Sequence, residues 1–143
     1  MMRFVRSALV GLTFAALLAG VQPTPGFARA SADLRDLIKS EPYRSAWAHM
    51  LAKERDVPNW IKDFIITGEG ANTPTRMVPV GHQAYLLATL CSGQDCANHK
   101  FYVMFSADGT KAYGEILETG KAPRWLGKPD AASRAAMKEA QTQ

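Results

Sequence analysis

Cys91-Ser92-Gly93-Gln94-Asp95-Cys96 holds the only two cysteines of a 143-residue chain, four residues apart. Leu86-Leu87-Ala88-Thr89-Leu90 leads into it and Phe101-Tyr102-Val103-Met104-Phe105 leads out. Aliphatic, β-branched and aromatic runs of this kind favour strands, so the stretch reads as two strands meeting at a polar tip. A bridge between Cys91 and Cys96 closes that tip into a small ring. So short a ring restrains the unfolded chain by only about 2 kcal/mol. Its larger effect is to hold four residues in one shape, which lowers the entropy lost when a partner binds them. The other use of such a ring is a plain hairpin staple.

Working outward from the tip, Gly81-His82 turns the chain into a strand over 83–90. A strand over 75–80 comes before it, and Pro79 confines that strand to a sheet edge or a bulge. On the other side a strand over 100–106 meets Ala107-Asp108-Gly109-Thr110, a short hairpin signal. Residues 111–118 alternate as the next strand. A loop through Gly120 and Pro123 leads to Arg124-Trp125-Leu126-Gly127, and Asp130 is placed to cap an Ala-rich helix from 131 to about 140.

Toward the N-terminus, Gly68, Gly70, Asn72 and Pro74 mark a loop, and Asn59-Trp60-Ile61 starts an apolar path through Phe64, Ile65 and Ile66. Tyr43, Ala46, Trp47, Met50 and Leu51 recur at steps of three and four, which predicts an amphipathic helix of about three turns. Trp47 reads as core, while Arg44, His49, Lys53 and Glu54 fall toward solvent. Ser40, Glu41 and Pro42 suit the start of this helix, and Asp56-Val57-Pro58 is its expected end. Ser31 or Asp33 can cap a shorter helix in which Leu34, Leu37 and Ile38 share a face. Two or three helices around a central antiparallel meander make a single α+β domain.

The first thirty residues read differently. Arg3 and Arg6 precede an almost unbroken apolar run over 7–21, and Ala28-Arg29-Ala30 is a small-x-small cleavage pattern. These features predict a secretory signal over 1–30 and a mature domain over 31–143. The apolar run is too short to span a bilayer, so no membrane association is expected after cleavage. Cleavage removes Arg3, Arg6 and Arg29, leaving 14 basic against 13 acidic residues and a net charge near +1 instead of +4. So even a balance does not suit a nucleic-acid partner. Export to an oxidising compartment favours the bridged form of the two cysteines.

Enzyme chemistry needs a constellation that the sequence does not present. The Cys-x4-Cys spacing is neither a thioredoxin-like nor a haem-attachment motif. No phosphate loop or nucleophile elbow occurs, the acids are scattered, and no cofactor is expected. Cys91, Cys96, His99 and His82 match no standard zinc spacing. His49, His82 and His99 read as surface or turn histidines.

Several of these residues together carry a resemblance that spans nearly all of 31–143. They are Ala46, Trp47 and Met50 on the helix; Pro58-x-Trp60-Ile61; Gly81-x3-Tyr85 leading into Cys91-x3-Asp95-Cys96; and Trp125-Leu126. In these the chain resembles the inhibitor of vertebrate lysozyme (Ivy) family, periplasmic proteins of Gram-negative bacteria. The resemblance implies an antiparallel sheet with helices packed against it, and a proteinaceous, non-enzymatic inhibitor. It implies that the disulfide-closed loop plugs a muramidase cleft, with Ser92, Gly93, Gln94 and Asp95 as the contact tip. A homodimer is implied by some relatives. An Ivy-like housekeeping module that restrains the cell's own lytic transglycosylases is the alternative. Family inhibitors typically read Cys-Lys-Pro-His-Asp-Cys, whereas this chain has Ser92, Gly93 and Gln94 before the matching Asp95. Gln94 donates and accepts hydrogen bonds but carries no charge. Gly93 lacks the stiffness of proline, so a proline there is expected to stiffen the loop where the backbone sits near the proline φ.

Overall fold

The computed structural model describes residues 31–143, so the signal expected over 1–30 lies outside the described residues. β1 (Arg76–Val80), β2 (Gln83–Cys91), β3 (His99–Ser106), β4 (Ala112–Glu118) and β5 (Arg124–Leu126) follow one another in one antiparallel sheet, in the order β1-β2-β3-β4-β5. Pro79 lies in the edge strand β1, where the missing N–H costs no ladder bond. Registers of Leu90 with Phe101 and Phe101 with Ile116 align the apolar positions across the three central strands.

The pleat sends alternate residues to opposite faces. One face presents Leu86, Ala88, Leu90, Phe101, Val103, Phe105, Ile116 and Leu126 to four helical segments. These are α1 (Leu34–Leu37), α2 (Tyr43–Ala52), α3 (Asn59–Lys62) and α4 (Phe64–Thr67). Trp47 is core, as its helical spacing predicts: it is 1 % exposed, with ring centroids 5.9 Å from Phe64 and 5.8 Å from Phe101. The other face gathers Val78, Tyr85, Leu87 and Met104 beneath Met137 and Ala140 of α5 (Ala131–Ala140). Burial on both faces explains why the runs flanking the cysteines are almost wholly apolar. The single α+β domain and its meander are as the residues predict.

Local signals hold with shifts. Asp33 caps α1 by accepting from Arg35 N, and Asp130 caps α5 by accepting from Ser133 N at 2.7 Å. Ser40 Oγ donates to Leu37 O and closes α1, while its carbonyl accepts from Arg44 N at 3.1 Å and the Glu41 carboxylate accepts from Ser45 N at 3.2 Å at the start of α2. α2 begins at Tyr43 and ends at Ala52, well before Val57-Pro58, so the proline ends the connection and not the helix. Glu54 is drawn out of solvent, its carboxylate accepting from Gly127 N at 3.1 Å. The apolar path after Pro58 becomes two single turns, and residues 124–126 form a fifth strand beyond the expected meander.

One charge is buried in this frame. Glu115 of β4 is fully enclosed under α5, with one carboxylate oxygen paired to Lys138 Nζ and the other accepting from Gln141 Nε2 at 2.6 Å. A buried carboxylate needs such partners. Lys138 belongs to α5 and Gln141 is its C-cap, so the pair pins that helix to the sheet.

Candidate functional site

The ring sits where β2 and β3 run off the end of the sheet. Cys91 and Cys96 are bonded, with Cα atoms 4.9 Å apart. Between them Gly93 and Gln94 are exposed, while Ser92 and Asp95 are half-buried. Inside the ring Asp95 N donates to Ser92 O at 2.9 Å and Cys96 N to Gln94 O at 3.1 Å. These bonds turn two peptide groups inward and leave the Gln94 side chain at the apex.

Two sets of contacts outside the ring hold it in place. On one side the loop before β1 runs alongside: Ala71 N donates to Gly93 O at 2.7 Å, and Cys91 N to Ala71 O at 2.8 Å. Gly70 makes this approach possible, because a Cβ there would lie 2.5 Å from Cys91 O. On the other side Asp95 Oδ1 accepts from Asn98 N at 3.2 Å and from Asn98 Nδ2 at 3.0 Å. Its Oδ2 lies 3.0 Å from His99 Nδ1. Asn98 Oδ1 in turn accepts from Thr119 Oγ1 at 3.0 Å, which ties the network to the end of β4. The hydrogen bond with His99, then those with Asn98, hold the Asp95 carboxyl below its usual range.

Four expected tip residues thus divide into two kinds. Gly93 and Gln94 form the outer surface of the ring, with Ser92 half-buried beside them. Asp95 spends its carboxylate on Asn98 and His99, so its place is inside the loop. His99, read from sequence as an ordinary turn histidine, belongs to this site; its spacing of four from Asp95 was the available signal. The expectation for proline at position 93 is corrected. Gly93 has φ +57°, far from the proline value near −65°, so proline cannot stiffen this conformation.

A shallow notch of about 210 Å³ beside the ring is lined by Asn98, Lys100, Glu118, Thr119 and Lys121 among others. Lys121 Nζ pairs with Glu118 Oε2 at 2.8 Å. Among the described residues, His, Cys, Asp and Glu side chains form no group of three that could hold a metal ion. Nor is any helix there long and apolar enough to cross a membrane.

No family model matches the chain. It is 30 % identical over 131 residues to the inhibitor of vertebrate lysozyme of Pseudomonas aeruginosa, an alignment covering 82 % of this chain and 83 % of that protein. It is also 33 % identical over 102 residues to a second, uncharacterized protein of the same organism, covering 63 % of each. By the extent and identity of the first match, the chain belongs to the family of the inhibitor of vertebrate lysozyme.

Proposed function

We propose that the protein is a lysozyme inhibitor that acts without turnover, its ring residues 92–95 entering the muramidase cleft as a rigid plug. The observation that carries this reading is the ring itself: a bridged, exposed tip tethered from both flanks, in a chain of the lysozyme-inhibitor family. Such preorganisation lowers the ordering cost of binding, which suits a stoichiometric inhibitor. The test is direct. The purified 31–143 domain is mixed with egg-white lysozyme and lysis of a bacterial suspension is followed; inhibition rising with inhibitor concentration is expected. If lysis proceeds unchanged, the second target class, the cell's own lytic transglycosylases, takes its place. The uncharged Gln94 at the apex gives that reading its support.

Gln94 also supplies a graded prediction. A muramidase cleft holds two carboxyl groups. A hydrogen bond to a charged group is worth about 1.5–3 kcal/mol, against about 0.5–1.5 for a neutral pair. Gln94→His is therefore expected to gain on the order of 1 kcal/mol, or several-fold in affinity, on the acid side of the imidazole titration. Inhibition constants of wild type and variant at two pH values check it; a variant that weakens inhibition shows the apex matched to another geometry.

The site of action in this reading is the periplasm, reached through removal of residues 1–30. Intact mass of the exported protein is expected to correspond to a chain beginning at Ser31. A mass that retains Met1 overturns the export reading.

A further inference from the structure

Away from the ring, α2 and the chain on either side of β4 and β5 enclose a groove. Two contiguous hollows of about 310 and 290 Å³ form it, with His49, Met50 and Gly127 lining both. Met50 is its buried floor, flanked by Ala46 and Ala112. Lys53 borders it from the end of α2, Lys111 from the start of β4 and Lys128 from the turn after β5. All three lysines are exposed, and among the described residues none of them is in an ion pair. Glu54 is the one acid in the lining, and its carboxylate is taken by Gly127 N. The acids next nearest in the chain are also engaged: Asp108 accepts from Ser106 and Thr110, and Asp130 from Ser133 N. A cleft lined by one sign of charge focuses its field on ligands of the other sign.

The turn that carries Lys128 is built with care. A Cβ at Gly127 would lie 2.6 Å from Ala112 O and 3.2 Å from Met50 Cγ, so glycine alone lets this wall close on the floor. Lys128 follows with φ +55°, a backbone conformation that L side chains rarely adopt. Glycine is the residue such a position favours. The exposed ammonium of Lys128 has no ion-pair partner in the fold that would account for lysine there, whereas the groove gains a cation from it.

We propose that this groove is a second binding site, taking an acidic peptide whose carboxylates reach Lys53, Lys111 and Lys128 while its chain lies over Met50. Cations on opposite walls of a concave site suit a chain lying between them, not the flat face of a bilayer. The site is separate from the ring. Ala112 lines the groove at one end of β4, and Glu118, at the other end, pairs with His99 behind the ring. That strand length sets the two about 20 Å apart, so both can be occupied at once.

Calorimetry of the exported protein with a synthetic peptide of alternating glutamate and alanine tests this. The variants are Lys53→Gln, Lys111→Gln, Lys128→Gly and all three together, with Lys39→Gln, whose lysine pairs with Asp36 on the exposed surface, as control. Wild type and the control are expected to bind alike, and more weakly as salt rises. Each single variant should bind about three-fold more weakly, and the triple variant about thirty-fold. Lys128→Gly should melt no lower than wild type, because glycine accepts the positive φ, so its lost affinity is not lost folding. Inhibition of lysozyme should be the same for wild type and triple variant. Peptide binding that is absent from wild type, or equal in wild type and triple variant, overturns the proposal. Lysine-dependent sedimentation with phosphatidylglycerol vesicles, without peptide binding, overturns it in favour of a membrane surface. A triple variant that loses lysozyme inhibition along with the peptide overturns the second site, since the groove then belongs to the inhibitory surface.

Discussion

Replacing Trp47 by alanine is expected to destabilise the domain by about 3–5 kcal/mol. Trp47 is carried by α2 into the space between the sheet and α4, where Phe64, Phe101 and Phe105 surround it. At 1 % exposure it has almost no water to lose to, and truncation leaves a cavity among rings that are themselves fully buried. Phe64, Phe101 and Phe105 are anchored in α4 and the central sheet, which limits how far the site can collapse and places the cost toward the upper end. A domain of this size is stable by only about 5–15 kcal/mol, so the melting temperature should fall by about 15 °C or more. Thermal unfolding followed by circular dichroism measures it. Below the lowered transition the ring and its tethers are intact, so inhibition per folded molecule should be retained. A loss under about 1 kcal/mol would show that the aromatic cluster is not a tightly packed core.

Gly93→Pro is expected to weaken lysozyme inhibition tenfold or more, the reverse of what stiffening a loop usually does. Gly93 holds φ +57°, and its carbonyl accepts from Ala71 N at 2.7 Å. Proline is restricted to a φ near −65°, so the chain must turn by roughly 120° at this residue. A ring closed between Cys91 and Cys96 has few other torsions to absorb that rotation. The bond to Ala71 is broken and the apex residue Gln94 is re-aimed. Gly93→Ala separates conformation from crowding. An added Cβ meets nothing within 4 Å, so alanine bears only the left-handed backbone cost of about 1–2 kcal/mol. The order of inhibition should therefore run wild type, Gly93→Ala, Gly93→Pro. Stronger inhibition by the proline variant would sink the view of the ring as a preformed plug.

The sequence by itself determined the frame. Hydrophobic repeats of three and four placed α2, apolar runs beside the cysteines placed β2 and β3, and Asp108-Gly109 and Asp130 marked the hairpin and the last helix. Each of these signals acts within a few residues of its own position, through pleat, helical pitch or a side chain capping a nearby amide. The cysteine pair was legible for the same reason: its ring closes over five positions. What depended on distant partners was decided only by the tertiary structure. Glu115 looks like an ordinary strand carboxylate until α5 brings Lys138 and Gln141 over it. Residues 124–126 become a strand because β4 offers them an open edge, and α2 stops at Ala52 although no proline stands there. In the ring, the positive φ of Gly93 and the inward turn of Asp95 follow from Ala71, Asn98 and His99 lying against it. A loop's sequence limits the shapes it can take, and the hydrogen-bond partners that folding places beside it select one of them.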